Sequence, residues 1–257
     1  MYPESGLSVD IFIKQLQWDI FLYDTNHCHS IDFRNVLYHI GSMDKELPRQ
    51  EDRATSLLRE RGMMRLSEFL KEGITAATIS RMLERGVLNQ LTRGLYQLPD
   101  ATLDGHHSIA VAAKLVPKGV ICYDSALAFH ELTDRIPPYT WMAIGPRDWR
   151  PKITRPRIQI TRFGYKEFDK GVERHVVEDV PVKIYSPAKT IADLFKSGKY
   201  QKAFYNSATG FAHATQAMKD ALRLRKATPA EIAKFAVEAG IWENIVQPRL
   251  ETLTVNA

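Results

Sequence analysis

The spacing of glycines between Arg53 and Pro99 constrains the fold more than any other feature of the sequence. Gly62, Gly73 and Gly86 each follow a short stretch whose apolar residues recur at helical spacing. A glycine just past the end of a helix permits the left-handed turn that stops it. Three short helices are therefore predicted before residue 87.

The first two helices each have an apolar face. Leu57 and Leu58 lie on the first helix, and Leu66, Phe69 and Leu70 are predicted to form the buried face of the second. Such short amphipathic helices bury their apolar faces against one another. They predict a small helical module.

The third helix is predicted to begin at Thr75, whose side-chain oxygen can cap its first turn. Ile79, Met82 and Leu83 recur at helical spacing and are expected to face inward. The free N–H groups at the start of this helix could bind a phosphate oxygen. The positions then expected to face outward are Thr75, Ala76, Thr78, Ser80, Arg81 and Arg85.

A β-hairpin is predicted directly after the third helix. Val87–Leu91 and Leu95–Leu98 are strand candidates, and the loop between them ends in Gly94, where a positive φ is expected. Pro99 ends the unit. Three helices followed by a hairpin are the order of a winged helix-turn-helix, whose last helix lies in the major groove of DNA.

Charge is concentrated in this module. Between Arg53 and Leu98 there are eight cations and four acidic residues, a net charge of +4 out of +5 for the chain. Such clustering favours contact with phosphates, and Arg93 at the hairpin tip can enter a minor groove or contact the backbone. The predicted DNA-binding residues are Thr75, Thr78, Ser80, Arg81, Arg85 and Arg93. The alternative is a three-helix module that binds only protein.

The rest of the chain predicts an α+β fold, in which the winged helix-turn-helix is followed by a mixed α/β domain with a small, largely antiparallel sheet and a helical C-terminal tail. The last three strands are expected to be antiparallel because their connections are too short for helical crossovers. The predicted strands are Val120–Tyr123, Thr140–Ile144, Ile158–Phe163, Val172–Val177 and Val182–Tyr185. The predicted helices are His106–Val116, Ser125–Leu132, Pro187–Phe195 (ended by Gly198), Gln201–Lys226, Pro229–Ala239 and Trp242–Leu253.

Three segments are predicted from this pattern: residues 1–42, the winged helix at 51–99 and an α/β effector domain at 100–257. Residues 1–42 are rich in aromatic and β-branched residues and poor in cations. Two interpretations of them stay open. They form an extra strand or helix, or they are a non-essential extension ahead of a natural start at Met43.

A second basic surface is predicted between the second and third of these strands. Six cations face one acidic residue, Asp148, and Trp149 and three prolines lie among them. Such a surface extends a DNA footprint, binds an acidic partner, or is a solvated edge strand whose cations discourage pairing. The cations are Arg147, Arg150, Lys152, Arg155, Arg157 and Arg162.

Signatures of the common enzyme chemistries are missing from the sequence. It contains no Glu-x-Lys, Asp-x-Asp, phosphate-binding loop or HExxH sequence. The cluster of His27, Cys28 and His29 lacks the further ligands that a zinc site needs, and His106 and His107 are expected at the surface of a helix start. We therefore expect no catalytic residues, no metal and no cofactor. A metal-dependent nuclease or other nucleic-acid enzyme in residues 100–198 is the alternative.

No apolar run is long enough to span a bilayer, and no secretory signal is recognisable. Cys28 and Cys122 are far apart and fit a reducing compartment. A cytoplasmic location is expected, with double-stranded DNA as the partner and no membrane contact.

Three segments resemble the AbiEi-type antitoxins of bacterial abortive-infection systems, which are type IV toxin–antitoxin systems. They are Ile74–Pro99, Val120–Leu132 and Tyr185–Lys196, and the order of elements between them extends the resemblance over about 51–253. The resemblance implies a winged helix that represses its own operon at promoter repeats. It also implies a C-terminal domain that counters a nucleotidyltransferase-like toxin without a stable complex. Some relatives are stand-alone regulators without a toxin.

Overall fold

The N-terminal part of the described chain is a three-helix module with a small sheet. The computed structural model describes residues 49–153, 155–196 and 207–255. Its first sheet is antiparallel, with the strand order β1-β3-β2. The elements are α1 (Gln50–Arg61), β1 (Met63–Arg65), α2 (Leu66–Lys71), α3 (Ala76–Glu84), β2 (Asn89–Thr92) and β3 (Leu95–Gln97).

The three helices enclose one apolar core, as predicted, with one exception. Leu58, Phe69, Ile79 and Met82 are buried in it. Leu70 is 51% exposed, so the prediction that it belongs to the buried face of α2 was wrong. A helix of one and a half turns presents only a narrow stripe to its neighbours, and Phe69 fills that stripe.

Strand β1 was not predicted, because three residues are too few to show an alternating pattern. Its residues Met63 and Met64 are both fully buried. Met64 belongs to the core of the three helices, and Met63 belongs to the core of the α/β half. Successive strand residues point to opposite faces, and this strand therefore joins the two cores.

Gly62 allows a close approach between the two halves. Its φ is +67°, and a Cβ at this position would lie 1.9 Å from the carbonyl oxygen of Glu178. Only glycine tolerates both the positive φ and the contact. The helix end predicted at Gly62 is therefore also a contact point.

The second half of the chain contains a five-stranded mixed sheet and helices on both of its faces. The α+β fold class predicted from the sequence is confirmed. The strands are β4 (Val120–Ile121), β5 (Thr140–Ile144), β6 (Ile158–Arg162), β7 (Val172–Val177) and β8 (Val180–Tyr185). The helices are α4 (His107–Leu115), α5 (Tyr123–Phe129), α6 (Tyr165–Phe168), α7 (Pro187–Lys196), α8 (Ser207–Arg223), α9 (Pro229–Glu238) and α10 (Gln247–Val255), and a π-helical turn, Trp242–Val246, precedes α10.

The order of the sheet is β6-β5-β4-β8-β7, with two parallel and two antiparallel pairings. The prediction that β6, β7 and β8 pair antiparallel was right for β7 and β8 and wrong for β6, which lies at the opposite edge, parallel to β5. The nine residues between β6 and β7 can span about 30 Å. This exceeds the roughly 19 Å across four strand spacings, so even a short connection crosses the sheet.

The winged helix packs on one face of this sheet and the helical tail on the other. Met63 and Leu95 share a core with Ile109 of α4 and with Ile121 and Ile184 of the sheet. Polar contacts support this packing, since the guanidinium of Arg65 donates to the carbonyl oxygen of Leu115 at 2.7 Å. Helices α7 to α10 form a separate core on the opposite face.

Most predicted boundaries agree with the structure to within two or three residues. The strand predicted to reach Tyr123 instead ends at Ile121, because Tyr123 has a φ of 49° and begins α5. The capping box of Thr228 and Glu231 is present at the start of α9. Residues 1–42, Gly198 and the predicted helix start at Gln201 lie outside the described residues.

Candidate nucleic-acid interface

The segment from α2 to α3 has the geometry of a helix-turn-helix. The hydroxyl of Thr75 accepts a hydrogen bond from the backbone N–H of Thr78 and caps α3, as predicted. Ile79 and Met82 hold α3 against α1 and α2. The helix is thus fixed with one face to the core and the other to solvent.

The solvent face of α3 differs from the predicted face at three positions, and one predicted residue is buried. Ser80, Arg81 and Arg85 are exposed as expected, but Thr78 is only 2% exposed. Its hydroxyl donates to the side-chain oxygen of Gln50 at 2.8 Å. Thr78 lies one turn from Met82 on the face that packs against α1, and the prediction that it faces outward was wrong.

Two exposed residues of α3 were missing from the predicted face. Ala77 and Glu84 are exposed and lie on one stripe with Ser80 and Arg81. Positions spaced by three, four and seven residues share a helix face. Reading that spacing from Ala77 would have found both residues.

One of the N–H groups predicted to be free for a phosphate at the start of α3, that of Thr75, is engaged by a side chain. The backbone N–H of Thr75 donates to the side-chain oxygen of Gln50 at 3.1 Å, and the hydroxyl of Thr75 lies 3.3 Å from the same atom. Gln50 therefore already satisfies the N–H of Thr75.

The cations of α3 are held by neighbouring groups. The guanidinium of Arg81 donates to the hydroxyl of Thr78 at 3.3 Å. Arg85 forms an ion pair with Glu51 at the start of α1, and its side chain is still 56% exposed. Both cations reach solvent from defined positions.

The wing is the β2–β3 hairpin. Its turn contains Arg93, which is exposed as predicted, and Gly94, whose φ is +74°. The carbonyl oxygen of Gly94 accepts a hydrogen bond from the backbone N–H of Leu66 at 2.9 Å. This bond fixes the turn to the start of α2, beside the helix-turn-helix.

The second basic surface, which we call the basic strip, adjoins the wing. It comprises the loop between β5 and β6 and the end of β6. The hydroxyl of Thr92 in the wing donates to the carbonyl oxygen of Arg155 at 3.0 Å. All six predicted cations are exposed, namely Arg147, Arg150, Lys152, Arg155, Arg157 and Arg162. The wing and the strip therefore form adjacent cationic surfaces.

The acidic residue of the strip is already engaged. Asp148 accepts from the backbone N–H of Gly145 at 3.0 Å and pairs with Lys118. Arg147 lies over the ring of Tyr165, with 5.6 Å between the guanidinium carbon and the ring centroid. Among the described residues, the pair of Lys118 with Asp148 is the only ion pair in the strip. Its positive charge is thus largely uncompensated.

Three titratable groups of the α/β half, Cys122, Lys189 and Asp193, are buried. Burial raises the pKa of the Cys122 thiol well above its usual value, which makes the thiol unreactive. Burial also raises the pKa of Asp193 to about 6, and the neighbouring Lys189 opposes this shift. Lys189 and Asp193 form a buried ion pair within α7. Both side chains of this pair lie in the protein interior.

The two histidines at the start of α4 each contact a neighbouring side chain. His107 lies 2.7 Å from the carboxylate of Glu178, and the ring of His106 packs against Phe129. Within the described part of the chain, no group of three or more His, Cys, Asp or Glu residues is placed to hold a metal ion. The predicted cluster of His27, Cys28 and His29 lies outside it.

None of the described helices combines the length and apolar character that crossing a membrane requires.

These observations define the N-terminal module as a winged helix-turn-helix. Residues 52–99 match the family model described as "Transcriptional regulator, AbiEi antitoxin". The resemblance to AbiEi-type antitoxins drawn from the sequence is therefore confirmed, over the winged helix. The description of the family is that of a regulator.

The fold of the whole described chain also has a counterpart. The crystal structure of the RV2827C protein from Mycobacterium tuberculosis matches with a TM-score of 0.51 and 12% sequence identity, over 82% of this chain and 83% of that chain. At this identity the likeness shows the fold alone. No curated protein matches the chain.

Proposed function

We propose that the protein is a DNA-binding repressor of its own operon and the antitoxin of a type IV system, acting in the cytoplasm on promoter repeats. The observation that carries the proposal is the exposed face of α3, where the small side chains of Ala77 and Ser80 lie next to Arg81, beside a cationic wing. Small residues let a helix approach base edges, and arginine reads guanine with two hydrogen bonds. The helix is the base-reading element.

Arg81, Ser80 and Arg85 are the proposed contacts of α3, and Arg93 is the contact of the wing. The buried Thr78 is replaced in this set by Ala77, whose methyl group suits contact with a thymine methyl. Thr75 then acts as the cap of the helix. Two or more copies of the protein are expected on one promoter, since winged-helix proteins often bind repeated half-sites.

The basic strip is proposed to extend the footprint along the DNA backbone. The hydrogen bond from Thr92 to Arg155 places it next to the wing, so a duplex that contacts Arg93 would continue over it. Phosphate contacts position a protein without reading sequence. The strip therefore adds affinity more than specificity.

The test of DNA binding is a titration of labelled DNA from upstream of the gene, followed by fluorescence anisotropy at several salt concentrations. Replacing Arg81 and Arg85 with Ala is expected to weaken binding and to flatten its salt dependence. The matched control replaces Lys219 and Lys234 with Ala, because both are exposed on the tail helices packed on the opposite face of the sheet. Equal affinity of the two double variants would refute the assignment of α3.

The antitoxin role needs its own test. Expressing the neighbouring open reading frame alone and together with this protein is expected to show growth arrest that the protein relieves. A nucleotidyltransferase-like product of that frame would be the toxin that the family resemblance implies. Growth arrest that persists on co-expression would contradict the antitoxin role and leave the repressor role standing.

A further inference from the structure

The start of α1 lies across the predicted DNA-reading helix. Gln50 binds the first turn of α3 through Thr75 and Thr78, and Glu51 pairs with Arg85 at the end of α3. Two consecutive residues thus contact both ends of the same helix. The carboxylate of Glu51 is therefore paired with a cation of the helix that is proposed to read DNA.

We infer that Glu51 competes with the DNA backbone for Arg85 and thereby sets the affinity of the repressor. The inference rests on the proposed function. The side chain of Arg85 is 56% exposed and that of Glu51 is 35% exposed, so the pair lies where a duplex would approach. An exposed ion pair is weakly held, and a phosphate can replace the carboxylate.

The surroundings of Arg85 allow it to exchange Glu51 for a phosphate. Arg85 also donates from its Nε to the carbonyl oxygen of Arg81 at 3.4 Å. This hydrogen bond keeps the Nε end of the guanidinium group beside the exposed face of α3. Exchanging Glu51 for a phosphate leaves this position unchanged. The carboxylate of Glu51 then remains near the DNA and repels it.

Gln50 confines the exchange of partner to the side chain of Arg85. Its side-chain oxygen lies within hydrogen-bond distance of the backbone N–H of Thr75 and the hydroxyl of Thr78, so α3 stays fixed to α1 while Arg85 changes partner. Only one side chain has to move. Binding is therefore weakened by a competing charge and not by a rearrangement of the module.

The experiment measures Kd against salt concentration for the full-length protein and two charge-matched variants, with the upstream DNA as the probe. Glu51→Gln is expected to bind about threefold to tenfold more tightly at low salt, because one repulsive charge is lost and Arg85 is released. Its plot of log Kd against log salt is expected to keep nearly the slope of the wild-type plot, because Arg85 contacts one phosphate in both complexes. Glu60→Gln is the control, since Glu60 is exposed on the last turn of the same helix and its loss changes the net charge equally.

A double variant separates competition from a general charge effect. The Glu51→Gln substitution is expected to increase the affinity for DNA less in a protein that also carries Arg85→Gln. In that protein Glu51 has no Arg85 guanidinium to hold. Equal affinities of the Glu51→Gln and Glu60→Gln proteins would overturn the inference, and so would weaker binding by Glu51→Gln with an unchanged unfolding midpoint. Failure of the wild-type protein to bind the upstream DNA would instead refute the proposed function.

Discussion

Arg81 on α3 differs from Arg150 and Lys152 of the basic strip in how it is held. On α3, the guanidinium of Arg81 donates to the hydroxyl of Thr78 within the winged helix. In the basic strip, Arg150 and Lys152 extend from an irregular loop and are exposed. A fixed arginine suits the geometry of a base edge, and a free one suits a phosphate, which accepts contact from many directions. The contrast predicts that α3 reads sequence and that the strip supplies salt-dependent affinity.

The largest expected effect is a loss of stability in a variant whose proposed DNA contacts are unchanged. Lys189→Met leaves Asp193 buried without its partner and is expected to cost about 3 kcal/mol at pH 8. The pKa of Asp193 in the folded protein, about 6, lies above its usual value near 3.8. Below pH 6 the folded state holds a proton on Asp193, so the loss is expected to shrink as the pH falls toward 5.

Urea unfolding at pH 5 and pH 8 measures this loss, with Lys219→Met as the surface control. The variant should retain sequence specificity in whatever fraction remains folded. A loss that is equal at the two pH values would contradict the role given to Asp193.

The next effect concerns specificity. Arg81→Ala is expected to weaken binding to the operator by about 5- to 150-fold, the cost of one lost bidentate base contact. Binding to an unrelated duplex should change much less. Competition titrations with both duplexes measure the ratio, and an equal loss on both would place Arg81 on the backbone and remove the contrast between the two surfaces.

A smaller effect is expected for the strip. Replacing Arg150 and Lys152 with Ala should weaken operator and unrelated duplex alike and reduce the slope of the salt plot by up to about 1.8, as for two phosphate contacts. The Arg81→Ala protein measured in parallel is the reference. A selective loss on the operator would show that the strip reads sequence as well.

The smallest effect tests the junction between the two surfaces. Thr92→Val removes the hydrogen bond to the carbonyl oxygen of Arg155 and is expected to cost about 1 kcal/mol of stability. Its effect on affinity should be below that of the strip variant. Nuclease footprints of the two proteins measure the change. A footprint shortened as much by Thr92→Val as by loss of the strip cations would mean that the junction positions the whole strip.

The sequence was sufficient for the three helices and the hairpin of the winged helix because their signals are local. A capping threonine, a glycine after each helix and a glycine in the hairpin turn act within a few residues of their own position, and the structure has each of them. The prediction for Thr78 was wrong because α1 covers that side of α3, and the glutamine that binds it is distant in sequence. The predicted pairing of β6 was wrong for a similar reason. A short connection limits the distance between two strands, but it does not determine which strands become neighbours.

The order of helices, the hairpin and the concentration of positive charge follow from the sequence alone, because each depends on spacing along the chain. Only the tertiary structure decided that Glu51 and Gln50 lie against α3, that β1 joins two cores and that the basic strip adjoins the wing. These are contacts between residues far apart in sequence, and they form only when the apolar faces of separate elements are buried together.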